Sequence, residues 1–551
     1  MKSHLLPIVL LCNASAVCLG QAVHQTTLDD PVAPVASPFQ VTLNQVTMAA
    51  EIPTLHSYAA GQWQGQWVLL AGKTNGLHGM TGGHLPFDPA YENREVWVID
   101  PVLGESWHKS LATSAASGLS NDVVDSLSSV NTQYLQVGAT LYVVGGYGYK
   151  RSLTDYTTYG ILTAIDLPGL IGWVKSPAGS EVNTAAAHIR QVTDAYFKVT
   201  GGGLEKCGDE FQLVFGQDYE GAYRPNFNGI YTKQVRRFRV VNDAGGLSVV
   251  PGSMLATTPQ DDYRRRDLNV LPIVERDVSA PGLFVEKAMI LGGVFTPTNG
   301  IWTLPVIVGE NGVVTQADPL VPGTLRQGLQ QYHCAKLLAY HRATDEMHAI
   351  LFGGISVKYW DEAMMTYVQD DNAPFLNDVT DVVRRANGSM RQYKLPFLFP
   401  DIRAPWDATK SLYFGTNAEF FPAADVPKLM PKIIDLAGVQ QPKRIGWLHG
   451  GIMADARNGG TTAASGFIFE VWLNPTPPVM PQLFIDRVTE GYQVNWAGDA
   501  SRGDLLEGSE DLVNWNEAMI PARGPGTLFY SGLFNAPQRF HRVLSGVVTS
   551  E

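Results

Sequence analysis

Six times along this chain of 551 residues an apolar run of strand length ends in glycine, and that repetition constrains the fold more than any other feature. The runs are WVLLAGKTNG (67–76), LYVVGGYGYK (141–150), EFQLVFGQDY (210–219), AMILGGVFTP (288–297), HAILFGGISV (348–357) and RIGWLHGGIM (444–453). Each follows an alternating or aromatic-rich segment: TLHSYAAGQW, NTQYLQVGAT, DAYFKVTGGG, LNVLPIVERD, YHCAKLLAYH or LYFGTNAEFF. A third strand pattern carrying Trp or Phe often comes next, as in REVWVIDPVLGESWHKSL and GFIFEVWL. Three or four short antiparallel strands per unit, repeated in one order, predict the blades of a propeller. The spacing, roughly 60 to 100 residues, exceeds the common propeller repeats of about 40–50, so insertions between strands are expected. With 55 Gly, 34 Pro and only 17% charged residues, the composition favours many strands joined by turns. The expected fold class is all-β: a six-bladed β-propeller with a small C-terminal β-sandwich-like module.

Glycine pairs after an apolar strand, with an aromatic strand downstream, resemble kelch repeats over roughly residues 40–475. The sequences AGK and FGQ, and a long insertion in the sixth repeat, depart from that pattern. More narrowly, GKTNGLHGM, LYVVGGYGY, YRRRDLNVLP and LFGGIS are similar to a group of exported bacterial kelch proteins with no assigned activity. The resemblance implies a ring completed by a strand from one terminus, for which FQVTLNQVTM (39–48) is the candidate. The tail, with LLEGSEDLVNWNEA and QRFHRVL, is similar to C-terminal β modules of secreted proteins, where such a unit is an appendage.

The domain boundaries follow. Residues 1–22 read as an export signal, with Met1, Lys2, an apolar stretch Leu5 to Cys12 and small residues that allow cleavage after Ala16 or Ala22. Residues 23–38 are expected as a flexible leader, 39–475 as the propeller, 476–482 as a Pro-rich linker and 483–551 as the C-terminal module. No later stretch approaches the roughly 20 apolar residues of a membrane span, so a secreted protein, extracellular or periplasmic, without a transmembrane anchor and monomeric, is expected. The net charge of −12 argues against nucleic acid. Cys207 and Cys334, the cysteines of the body, read either as one disulfide or as two buried small hydrophobes.

Loops at one end of a propeller converge on its axis, and polar residues around the innermost strands are therefore the site candidates. They are Asn75, His78, Asn131, Gln133, Gln136, Asp194, Arg264, Arg265, Arg266, Asn269, Tyr332, His333, Asn417 and Glu419. Each also has a structural reading, because such residues satisfy strand-end backbone groups. Strand alternation should send Arg265 to one face and Arg264 and Arg266 to the other, so that one face pairs with Asp267 or Asp262 while the other offers a fork to a carboxylate or sulfate. The sequence contains no HExxH, CxxC, GxSxG or GxxxxGK[ST] motif, and no metal site is assigned. The acidic loop QDDNAPFLND (369–378) supplies oxygens for calcium in a spacing that matches no defined loop.

The function expected is binding of an extracellular glycan or protein ligand at the channel mouth, with Tyr147, Tyr149, Tyr156 and Tyr159 forming an open rim or packing the blade surface. One alternative is a carbohydrate-active isomerase, mutarotase or lyase. Resemblance to exported kelch mutarotases acting on sialic acid would cast Glu419 as acid/base and Arg265 as the anion partner. A structural adhesion protein is a further alternative. The adjacent Tyr332 and His333, with Cys207 elsewhere in the chain, superficially resemble part of a copper-radical oxidase site of the galactose oxidase type, whose second tyrosine, second histidine and thioether-forming cysteine are not assigned here.

Overall fold

The structure, a computed structural model, describes residues 28–32, 37–77, 86–224, 227–277, 279–280, 282–298, 300–310 and 312–476, and strands between 482 and 544. Residues 39–475 form a six-bladed β-propeller. The innermost strands of blades 1 to 6 are Ala59–Trp63, Gln133–Val137, Gly203–Cys207, Arg266–Arg276, Ala335–His341 and Tyr413–Pro422. The second strands are Gln66–Leu70, Thr140–Val144, Glu210–Val214, Phe284–Val294, Glu346–Ile355 and Lys443–Ala454, each paired antiparallel to its inner neighbour. Each repeated apolar run is thus the second strand of a blade together with the turn that follows it.

The runs are continuously apolar because both faces of a second strand are buried. In blade 1, Val68 and Leu70 pack with Leu141 and Val143 of blade 2. The alternate residues Trp67 and Leu69 pack with Phe421 and Trp447 of blade 6, and the Trp67 and Phe421 rings stack at 4.3 Å. Equivalent clusters fill the other four seams, so the ring has six apolar interfaces and no separate centre. At about 1.5–3 kcal/mol for each fully buried large apolar side chain, these seams drive closure.

Every blade carries two consecutive left-handed residues at the glycine-pair position, just past the second strand in blades 1 to 3 and near its C-terminal end in blades 4 to 6. In blade 2, Gly145 and Gly146 have φ of 65° and 92°, and a Cβ on Gly145 would lie 2.0 Å from the Val199 carbonyl oxygen. The Gly146 N–H donates to that oxygen at 2.9 Å, which ties blade 2 to the next blade. The sequences AGK and FGQ keep this geometry: Ala71 (φ 62°) and Phe215 (φ 53°) take the first position and glycine the second.

Blade 6 is completed from the N-terminus. Phe39–Val46 pairs antiparallel with Ile468–Pro475 in full register, as the terminal-strand expectation required, and buries Phe39, Val41 and Leu43. The leader is corrected in part. Residues 28–32 are held against blade 5, where Val32 bridges Tyr393, Asp29 pairs with Arg326 at 2.9 Å and Leu28 is buried. Cys207 and Cys334 are free, buried thiols, so the disulfide reading is set aside. Residues 482–544 contain two three-stranded antiparallel sheets, in line with a sandwich-like module. Among the described residues no helix is long and apolar enough to cross a membrane.

Candidate site at the channel mouth

Every innermost strand is entered at or near one left-handed residue: Ser57, Asn131, Gly201, Asp267, His333 and Asn417, with φ between 46° and 66°. Left-handed backbone is costly for residues with a side chain, and its recurrence in all six blades marks a shared construction. Backbone bonds join the ring. Asn131 N–H donates to Ser57 O at 3.3 Å, Gly201 N–H to Asn131 O at 3.1 Å, Asp267 N–H to Gly201 O at 2.7 Å and Asn417 N–H to His333 O at 2.7 Å. Side chains continue it: Asn417 Nδ2 donates to Ser57 Oγ at 2.9 Å, and His333 hydrogen-bonds the Asn417 side chain. Burial pushes His333 down to about 3, which leaves it neutral. Asp267 leans over Gly201 and meets Arg266 at 3.4 Å.

Two residues beyond Asn417 on the same strand, Glu419 of blade 6 lies beside Tyr134 of blade 2, and burial together with that carboxylate raises the Tyr134 phenol well above its usual range. The opposite end of the axis is floored by the insertion of blade 6. Its hairpin, Lys428–Met430 and Ile433–Asp435, adds in parallel to the free edge of the inner strand of blade 5, with Leu338 opposite Ile433 and Tyr340 opposite Asp435. Lys432 reaches Glu205 of blade 3 at 2.9 Å, and Asp435 meets Arg342 at 2.7 Å. The long insertion of the sixth repeat contains this hairpin.

Of the expected site residues, Asn131, His333 and Asn417 lie in the ring and Glu419 below it. Gln133 begins an inner strand, 2% exposed, and its Nε2 donates to Asn131 O at 2.6 Å. Asn75 lies in the loop after the second strand of blade 1. His78 lies outside the described residues. Tyr332 precedes His333, and burial raises its phenol well above the usual range. The others serve the frame. Gln136 exchanges two 2.7 Å bonds with the Gln62 backbone. Asn269 donates to Gln331 O at 2.8 Å and accepts from Cys334 N–H, linking blades 4 and 5. Asp194 is an exposed cap of the turn Ala195–Phe197, away from any inner strand.

The arginine triplet alternates as expected, with the forks of Arg264 and Arg265 engaged, whereas Arg266 Nε and Nη1 are buried without a hydrogen-bond partner among the described residues. Arg265 is fully buried within blade 4, bonded to Leu304 O and Gln316 Oε1 and packed at 4.4 Å over Trp302, and burial lowers it to about 9. It is therefore sealed away from any ligand, which corrects the anion-partner expectation. Arg264 donates to the carbonyls of Phe295 and Thr296 and covers Tyr231 at 4.2 Å. Arg266 covers Phe295 at 4.3 Å. Of the two readings of the tyrosines, packing holds and the open rim does not: Tyr147, Tyr156 and Tyr159 are buried, Tyr147 against Phe87, Tyr156 and Tyr219.

Among the described residues no group of three or more His, Cys, Asp or Glu side chains is placed to hold a metal ion. In the acidic loop, Asp370 accepts from Asn372 and Asn458 instead. Cys207 is a free buried thiol at the end of the inner strand of blade 3, where burial pushes it up to about 12. Sequence reasoning missed Ser57, Gly201 and the Lys432–Glu205 floor. Aligning the residue two positions before Ala59, Gln133, Gly203, Asn269, Ala335 and Glu419 would have found the ring.

Fold and mouth together define the class, a six-bladed β-propeller closed by its N-terminal strand. No family model and no curated protein matches the chain. A solved structure, that of YjhT, aligns with it at a TM-score of 0.39 and 8% identity over 77% of this chain and 99% of that one.

Proposed function

We propose that this protein is an exported kelch-type propeller that binds an extracellular glycan at its channel mouth. One observation carries the reading: hydroxyl, amide and neutral imidazole side chains from four blades, Ser57, Asn131, His333 and Asn417, belong to one ring at the mouth, and the hairpin 428–435 runs from blade 5 to blade 3. Convergent hydrogen-bonding groups of this kind suit a small polar ligand. A flat protein surface would need an open aromatic platform, and the tyrosines of the blade 2 hairpin are packed instead. A glycan array tests the reading. The full chain should retain at least one glycan, and the Asn131→Ala/Asn417→Ala double variant should lose it while keeping its circular dichroism spectrum. Retention of no glycan, or equal retention by the variant, would refute it.

A second reading, a carbohydrate-active isomerase or lyase, is favoured by the Tyr134–Glu419 pair, since a carboxylate beside a phenol is a workable acid/base couple. Glu419→Gln would then abolish turnover of a retained sugar without releasing it.

A further inference from the structure

Residues 28–32 are seated on the propeller without forming a strand of any blade. Val32 bridges Tyr393 on the fourth strand of blade 5, its N–H donating to Gln392 O at 3.3 Å and its carbonyl accepting from Lys394 N–H at 2.9 Å. Pro31 O accepts from the Tyr367 hydroxyl at 2.9 Å, and Asp30 pairs with Lys358. Asp29 N–H donates to Arg326 O at 2.8 Å, and the Asp29 carboxylate accepts from the Arg326 guanidinium at 2.9 and 3.2 Å. Leu28, 7% exposed, belongs to one apolar cluster with Val294, Ile301 and Val357, against which Phe295 and Tyr332 pack. Val294 and Val357 lie just past the glycine pairs of blades 4 and 5. From Val32 back to Leu28 the chain therefore runs inward, from an outermost strand to the level of two second strands.

That end point adjoins the ring. Tyr332 immediately precedes His333, and the Asp267 carboxylate acts on the Tyr332 phenol. Arg266, the neighbour of Asp267, lies over Phe295 at 4.3 Å. The cluster that Leu28 completes is thus beside ring members Asp267 and His333. The hold on the segment is slight. It consists of an apolar contact, a few hydrogen bonds at a strand edge and two ion pairs whose carboxylates are 36% and 53% exposed, where salt screens strongly. Against these stands the entropy lost in ordering five residues, a cost of similar size. Blade 5 has its four strands without the segment, so letting go of it dismantles no blade.

We infer that residues 28–32 are a releasable strap: seated, they shield the blade 4–blade 5 side of the mouth, and released, they open Tyr332 and Phe295 beside the ring to an incoming ligand. The strap does not depend on that ligand being a glycan, and a blank glycan array would leave it standing. Hydroxyl-radical footprinting of the full chain, read by mass spectrometry at Tyr332 and Phe295, tests it. Labelling of both residues should rise by about threefold between 50 and 500 mM NaCl as the ion pairs are screened. Leu28→Asp should raise it at either salt concentration. A disulfide between Val32→Cys and Tyr393→Cys, placed at bridge partners, pins the strap and should hold labelling at its low-salt value, while reduction of the bond restores the salt response. Labelling that is the same in the pinned and reduced chains at both salt concentrations, or that Leu28→Asp leaves unchanged, would overturn the strap.

Discussion

His449 is 1% exposed, with Nδ1 at 3.1 Å from the Tyr58 hydroxyl and Nε2 at 3.2 Å from Pro53 O. Burial pulls it down to about 4, whereas an unfolded histidine titrates near 6.5. As pH falls below about 6.5 the unfolded chain takes the proton first, so stability drops by about 1.4 kcal/mol per pH unit until the folded value is reached. His348 works in the opposite sense. Paired with Asp381 at 2.7 Å it is raised, and its contribution, present below the unfolded value, is lost as pH rises through the folded one. Urea midpoints between pH 7 and 4.5 should therefore fall, and His449→Gln should flatten the decline; a midpoint that rises on acidification would contradict this. At the same scale, strand alternation made the two-sided disposition of Arg264, Arg265 and Arg266 legible. That Arg265 is sealed was not legible, because its acceptors, Leu304 O and Gln316, come from a loop and an outer strand whose packing no local pattern encodes.

The second strand and its turn show why some elements were readable. Burial on both faces requires unbroken apolarity, and close approach to the next blade requires a left-handed turn, so both demands are written locally. The turn makes a sharp prediction. Gly145→Ala should cost more than about 2 kcal/mol, since strain at φ 65° adds to a contact of 2.0 Å with a backbone oxygen. Gly104→Ala, at φ 72° with nothing within 4 Å, should cost about 1 kcal/mol. Urea titration of the two variants measures the difference, and equal losses would mean that the interblade approach is slack. The floor hairpin was unreadable for the converse reason. Only its length showed, while its partners, Leu338 to Tyr340 and Glu205, lie far back in the chain.

Closure of the ring is the property of the whole molecule. Phe39, Val41 and Leu43 contribute about 1.5–3 kcal/mol each, a sum comparable with the 5–15 kcal/mol of net stability usual for a domain. A chain lacking residues 1–46 should lose cooperative urea unfolding, and a synthetic peptide of residues 37–48 added in trans should restore it. Unchanged unfolding of the truncated chain would show that blade 6 stands without its fourth strand. Architecture was legible because the six repeats each declare their own geometry. The mouth was only partly legible, since its members are defined by a common position before each inner strand and differ in residue type. Because Phe39–Val46 is the earliest made strand of the propeller and its mate Ile468–Pro475 the last, synthesis cannot finish the wheel progressively: the opening segment waits, unpaired, until the end of the sixth blade has been translated.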